Sequence, residues 1–292
     1  MNRPLLLLLS VGAALGCNFP LGKLASSAGV GPALWAAVIS LGAGVVMLAI
    51  SRLAEGEGGG RPVLGFAITS GFISYVVPNF LTFAAIPHIG SGMAAIMFAL
   101  SPVVTALLSI VLKVRPPSLL GLLGIGLGLA GALIIIFARN AGISAGPSGW
   151  LLLATLIPMA LGLGNVYRTM AWPEGVGPMR LAALTNLAAV PPLLLAAALS
   201  GGMDIAPLLA IPGLVVAQLT ASSLMFVMFF RLQQAGGPTY LSQIGYIAAA
   251  VGVGFGVMLL GETYPPPVWA GVAVVGAGIA LSTLAQARAT RG

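Results

Sequence analysis

Few side chains in this sequence can hold or move a polar molecule, and those that can stand in patterns. "LGCNFPLGK" sets Asn18, Pro20 and Lys23 inside an apolar run, and "GLGNVYR" echoes it with Asn165, Tyr167 and Arg168. Tyr75, Asn79 and Phe83 recur every fourth residue, which gathers them on one face of a helix. Met93 and Met97, and Gln218 and Ser222, keep the same spacing, whereas Tyr240, Gln243 and Tyr246 recur every third. Amides, phenols, Phe and Met suit an electrically neutral ligand with one polar end. Asn and Gln oxygens accept from an ammonium, and amide N–H groups donate to a carboxylate. Catalysis would require another set. One His and one Cys give neither a metal constellation nor a disulfide framework. No Ser/His or His/Asp pair falls on facing segments. No metal, no cofactor and no enzymatic activity are expected.

The composition says what must position these residues. Charged residues are 6% of the 292 and hydrophobic ones 59%, and mean hydropathy is +1.10. Soluble domains carry roughly a quarter charged residues, so so few charges cannot cover a water-facing surface. Apolar runs long enough to cross about 30 Å of hydrocarbon as helices recur along the chain. The expected fold is an all-α integral membrane protein. A net charge of +7 does not point to nucleic acid, because the basic residues stand singly at the ends of apolar runs. The first segment resembles a signal peptide, and Cys17 a lipoprotein cleavage site, but an uncleaved first helix is the stronger reading.

With Gly/Pro clusters and lone charges as boundaries, ten spans are expected at 4–24, 32–53, 62–84, 91–112, 117–137, 148–169, 178–200, 210–233, 239–260 and 267–286. Connections are short. An even count places both termini on one side and sorts the charges. Arg3, Arg52, Arg61, Lys113, Arg115, Arg168, Arg180, Arg231, Arg288 and Arg291 fall on one face; Lys23 and Arg139 fall on the other. The positive-inside rule makes the first face cytoplasmic, with both termini, in a bacterial inner membrane.

Offsetting the chain by 147 aligns Asn18 with Asn165 and Phe83 with Phe230. An offset of 150 aligns Pro116 and Pro117 with Pro266 and Pro267, and Gly121, Gly126 and Gly128 with Gly271, Gly276 and Gly278. Two halves follow, 1–144 and 145–292, each of five helices. Five is odd, so the second half is inverted, as in secondary transporters whose midplane site is exposed alternately to the two sides.

"GCNFPLGK", "AAIPHIGSGMAAIMFALSP" and "GVGFGVMLLGETYPPPVWAGVAVVGAGIAL" together resemble EamA-type members of the drug/metabolite transporter superfamily. The resemblance rests on Asn18 and Lys23 in the first span, Pro102 in the fourth, the Gly261–Glu262 pair ending the ninth and a Gly-rich last span. It implies ten helices in two inverted repeats and export of amino acids and related metabolites. Two departures stand out. The first half has no acid matching Glu262, and the second has Ala249 where a proline matching Pro102 would stand.

Single residues carry competing readings. Gly126, Gly128 and Gly131 satisfy GxGxxG, but inside an apolar helix with no strand before it; with Gly124, Gly252 and Gly256 they read as close helix packing. Glu262 reads first as a solvated or capping carboxylate and second as a gating or coupling group. His88 is expected in a loop, with proton coupling as its alternative role. Lys23 is divided evenly between a charge at the edge of a site and an interfacial anchor. Pro78 frees the carbonyl of Ser74, and with Pro20 and Pro102 it is a candidate for gating. Asn18 and Pro20 are tolerable at membrane depth if they face a wet cavity, whose wall would be Asn18, Tyr75, Asn79, Phe83, Met93, Met97, Asn165, Tyr167, Gln218, Ser222, Tyr240, Gln243 and Tyr246. All five acids fall in loops or at helix ends, so gradient-driven uniport of a neutral amino acid is expected. A proton-coupled drug or cation exporter of the same architecture is the alternative. The expected partners are a small-molecule substrate and the lipid bilayer; the sequence leaves oligomeric state open.

Overall fold

The computed structural model describes residues 3–54, 61–113, 118–141, 148–241 and 244–289, and the described chain is helical almost throughout. Fourteen α-helices are numbered here in chain order: α1 Arg3–Ser27, α2 Pro32–Ala54, α3 Arg61–Gly71, α4 Val77–Ile89, α5 Ser91–Ala99, α6 Ser101–Val111, α7 Leu119–Ala141, α8 Ser148–Ala154, α9 Leu156–Met170, α10 Pro178–Leu199, α11 Ala206–Leu209, α12 Pro212–Leu241, α13 Ile244–Leu260 and α14 Pro266–Ala289. Among the described residues, seven stretches are long and apolar enough to span a bilayer: Leu6–Ser27, Pro32–Leu53, Val63–Ile89, Ser91–Val111, Gly149–Met170, Pro178–Leu199 and Pro212–Phe229. Three shorter apolar helical stretches, Leu119–Gly131, Ile247–Leu260 and Pro266–Gly278, complete the set. Helix is the dictated choice, because a backbone amide left unpaired in hydrocarbon costs several kcal/mol.

Three of these rods are interrupted. A π turn at Phe72–Val76 joins α3 to α4, just ahead of Pro78, which supplies no N–H to the preceding turn. Leu100 separates α5 from α6, and Thr155 separates α8 from α9; Pro102 and Pro158 follow two and three residues later.

Two expectations are corrected. The third span runs on through Pro87 to Ile89, so His88 lies in its last turn and not in a loop. It stops where Gly90, at φ 85°, takes a left-handed backbone that a Cβ disfavours. Tyr240 belongs to α12 and not to the ninth span, because α12 continues through Gly236, Gly237 and Pro238 to Leu241. A continued helix keeps more backbone groups paired than a turn would.

α2 packs on α10, α7 on α14, α5 on α13 and α6 on α9, while α1 lies against both α12 and α13. The α7–α14 seam depends on missing side chains. A Cβ on Gly131 would stand 2.7 Å from the Gly271 carbonyl oxygen, and one on Gly278 would stand 2.6 Å from that of Gly124. Backbones touch there, as the glycine spacing predicts.

Candidate functional site

α1 and α12 are joined by a neutral polar cluster. Asn18 Oδ1 accepts hydrogen bonds from Gln218 Nε2 and, at 3.1 Å, from the Ser222 hydroxyl, and Gln218 Nε2 also lies 2.7 Å from Ser222 Oγ. Gln218 and Ser222 have no solvent exposure, Asn18 has 9%, and Pro20 is buried beside them in sequence. Gln218 Oε1 has no partner. The next ring of predicted residues surrounds this cluster. Tyr75 meets Phe226 of α12 edge-on at 5.7 Å, and Phe83 lies over Gly22 of α1, where an added Cβ would be 2.5 Å from its ring. The four-residue spacing therefore does place both on the side facing α1 and α12. Asn79, between them, is half-buried and makes no hydrogen bond to another described residue. Met93 and Met97 are fully buried in the core formed by α1, α2, α4 and α5.

Asn165, aligned with Asn18 in sequence, belongs to a second cluster. Its Nδ2 donates to Thr105 Oγ1 of α6 at 3.1 Å, and its Oδ1 accepts from the Arg168 guanidinium. Thr105 in turn donates to the Ser101 carbonyl at 2.7 Å. Tyr167, on the same helix, stacks on Phe66 of α3 at 5.8 Å. Asn165, Tyr167 and Arg168 are each half-buried.

A third cluster closes one end of the bundle. The Glu262 carboxylate, in the turn between α13 and α14, caps the start of α5: Oε1 accepts the Ser91 N–H at 2.6 Å and the Ser91 hydroxyl at 2.9 Å. Oε2 accepts the Gly92 N–H at 3.0 Å and the Tyr264 hydroxyl. A negative charge at a helix N-terminus is favoured by the partial positive charge of the unpaired N–H groups. Burial pushes the carboxyl upward, but the donors from Tyr264, Gly92 and Ser91 outweigh it, and Glu262 sits below its ordinary value. Glycines make the approach possible. A Cβ on Gly256 would stand 2.6 Å from Glu262 Oε2, and one on Gly92 would stand 2.6 Å from the Tyr264 hydroxyl. The capping reading of Glu262 thus describes its contacts, and Gly256 accommodates this carboxylate as well as a helix neighbour.

Beside this knot is a cleft of about 220 Å³ lined by Lys23, His88, Glu262, Thr263 and Tyr264 among others. His88 lies flat on Trp150, with ring centroids 4.1 Å apart and planes 7° apart. The larger cleft, about 340 Å³, lies between α3 and α10 and is apolar apart from Arg180. Neither cleft is lined by the residues expected to form a central cavity wall. Side-chain placements of Pro102, Tyr240 and Tyr246, and Gln243 entirely, lie outside the described residues.

Sequence reasoning missed Ser91, Gly92 and Tyr264 as donors to Glu262, and Thr105 as the partner of Asn165. "GSG" after a helix end is a start signal for the next helix, and Tyr264 is two residues from the acid, so those were within reach. The Trp150–His88 pairing had no sequence signal.

This is a multi-pass α-helical membrane protein. Its residues 2–137 match the model of the EamA-like transporter family. A solved structure titled only "Crystal structure of protein" is similar in fold, with a TM-score of 0.61 and 19% identity over 94% of this chain and 97% of that one. No curated protein matches the sequence.

Proposed function

We propose that the chain is an alternating-access secondary transporter that exports neutral amino acids, with apolar or aromatic side chains, and related metabolites by gradient-driven uniport. Its ten spans form two inverted repeats, 1–144 and 145–292, with both termini on the cytoplasmic side of a bacterial inner membrane. The observation that carries the reading is the packing between the halves, whose principal helix pairs map onto one another when the halves are exchanged. The pairs α2–α10, α7–α14 and α5–α13 exchange into themselves. α1 packs on α12 and α13 just as α9 packs on α4 and α6, and α2–α12 becomes α10–α3. Two related halves in such an arrangement have two nearly equivalent ways to pack, which is what a rocking mechanism requires.

In this conformation the Glu262 knot holds its end of the bundle shut, tying the α13–α14 turn to α5. The substrate path passes the neutral cluster around Asn18, with Tyr75, Asn79 and Phe83 on its flank, and reaches the opposite end near Asn165 and Arg168. Of the acids, Glu174 and Asp204 are exposed; Asp204 accepts the Ala206 N–H at 2.9 Å, which leaves no carboxylate chain for a proton among the described residues.

Purified protein in vesicles tests this directly. Labelled phenylalanine is expected to equilibrate down its gradient with the proton gradient collapsed. Flux that requires a proton gradient would sink the uniport mechanism. Inhibition by lipophilic cations but not by neutral amino acids would replace the substrate class with the drug and cation alternative.

A further inference from the structure

The cleft beside Glu262 holds one acid and one base that do not pair with each other. The two oxygens of Glu262 already accept four donors from Ser91, Gly92 and Tyr264, which engages its lone pairs away from Lys23. Lys23 is the opposite case. It is half-buried on the cleft wall, and its ammonium has no hydrogen-bond or ion-pair partner among the described residues. The carboxylate in the same wall is committed elsewhere, so Lys23 lines about 220 Å³ of open space without an ion-pair partner among the described residues.

The other polar groups are neutral or can donate. Thr263 brings a hydroxyl to the wall. His88, an exposed residue of the lining, has one ring face covered by Trp150 at 4.1 Å, and stacking leaves a ring's edge nitrogens able to hydrogen-bond. One unpaired cation, a hydroxyl and an imidazole, beside a carboxylate already engaged by its own donors, make a site for no more than a single negative charge with two or three acceptor lone pairs. The cleft is smaller than the about 300–1,000 Å³ of pockets for drug-sized ligands, which matches the polar end of a small molecule. A dianion would meet only one full counter-charge, with Glu262 close by.

We propose that this cleft binds the carboxylate of small monocarboxylates, with Lys23 as the charge partner and His88 and Thr263 as donors. The inference deepens the transporter reading, since it gives the zwitterionic substrate a station at the closed end. The carboxylate is held by Lys23 next to the knot that must open for passage. It also makes the carboxylate, and not the ammonium, the group recognised there.

The experiment separates the two claims. Thermal stabilisation of the purified protein is titrated with 3-phenylpropionate, phenylalanine, phenethylamine and sulfate, because a ligand that binds only the folded state raises its melting point by mass action. Wild type is expected to respond to 3-phenylpropionate and phenylalanine and not to phenethylamine or sulfate. Lys23→Gln is expected to raise the half-saturating concentration of 3-phenylpropionate by about tenfold or more, the usual effect of removing the charged partner of a hydrogen bond. Lys23→Arg should stay within about threefold of wild type, and Lys113→Gln, at a different helix end, should be unchanged. Equal half-saturation in wild type and Lys23→Gln overturns the site. So does a response to phenethylamine as strong as that to 3-phenylpropionate, or no response of the wild type to 3-phenylpropionate. Phenylalanine flux in vesicles is measured alongside. Flux without 3-phenylpropionate binding removes the site and leaves the transporter; binding without flux does the reverse.

Discussion

Asn18 and Asn165 occupy aligned positions 147 residues apart, yet they stand in different surroundings. Asn18 is sealed between α1 and α12 with two neutral partners, Gln218 and Ser222, neither of which is exposed. Asn165 is half-buried, is tied to Thr105 of α6 on one side and accepts from a permanently charged guanidinium on the other. The same amide therefore closes one region and connects another to charge and solvent. Under the proposed mechanism this inequality is one of two states, and the alternate state would exchange the two environments.

Substitutions can break the comparison. Gln218→Ala is expected to have the largest effect. It removes a fully buried side chain, leaves a void and strips Asn18 of a donor, a loss of about 2–4 kcal/mol in unfolding measured in detergent. Asn165→Ala should cost about 1 kcal/mol, because Thr105 retains its bond to Ser101 and Arg168 can turn to water. Equal losses for the two variants would mean that the sealed and open clusters differ in geometry but not in energy.

Glu262 sharpens the contrast, since its cluster alone of the three depends on pH. Its folded value lies below its ordinary one, so ionisation stabilises the folded state above the unfolded carboxylate's value of about 4.3. That contribution is lost as pH falls through the lower, folded value. Melting temperature of the wild type should therefore drop more steeply than that of Glu262→Gln as pH is lowered below about 4.3. Parallel profiles would show that the cap adds nothing to stability. The smallest effect is expected from Thr169→Val. That hydroxyl is exposed and donates at 2.9 Å to the Asn165 carbonyl of its own helix, so the change should stay within about 0.5 kcal/mol.

The helical, membrane-embedded character was legible because so few charges leave no other solvent for the surface. Helix starts at Pro32, Pro178 and Ser148 were legible for the same reason that helix ends at Ile89 and Leu241 were not. Pro and Gly mark boundaries reliably in water, but lipid penalises open backbone so strongly that Pro87 and Pro238 remain inside helices. Spacing grouped the polar residues of each span, because periodicity fixes a face. Their partners were not, because which face meets which neighbour depends on contacts 200 residues apart, such as Gln218 with Asn18. The expected roles of Tyr240, Gln243 and Tyr246 remain proposals.

The π turn at Phe72–Val76 lies where α3 meets α4, with Gly164 of α9 pressed so close to Ser74 that an added Cβ would sit 2.3 Å from its hydroxyl. One surplus residue is accommodated in that turn. Returning it to α geometry would turn α3 by about 100° about its own axis, one residue's share of a 3.6-residue turn, while Pro78 keeps α4 in place. A single deletion there should be absorbed and still give monodisperse protein, whereas one deletion in α2 would swing its lipid-facing stripe into the core.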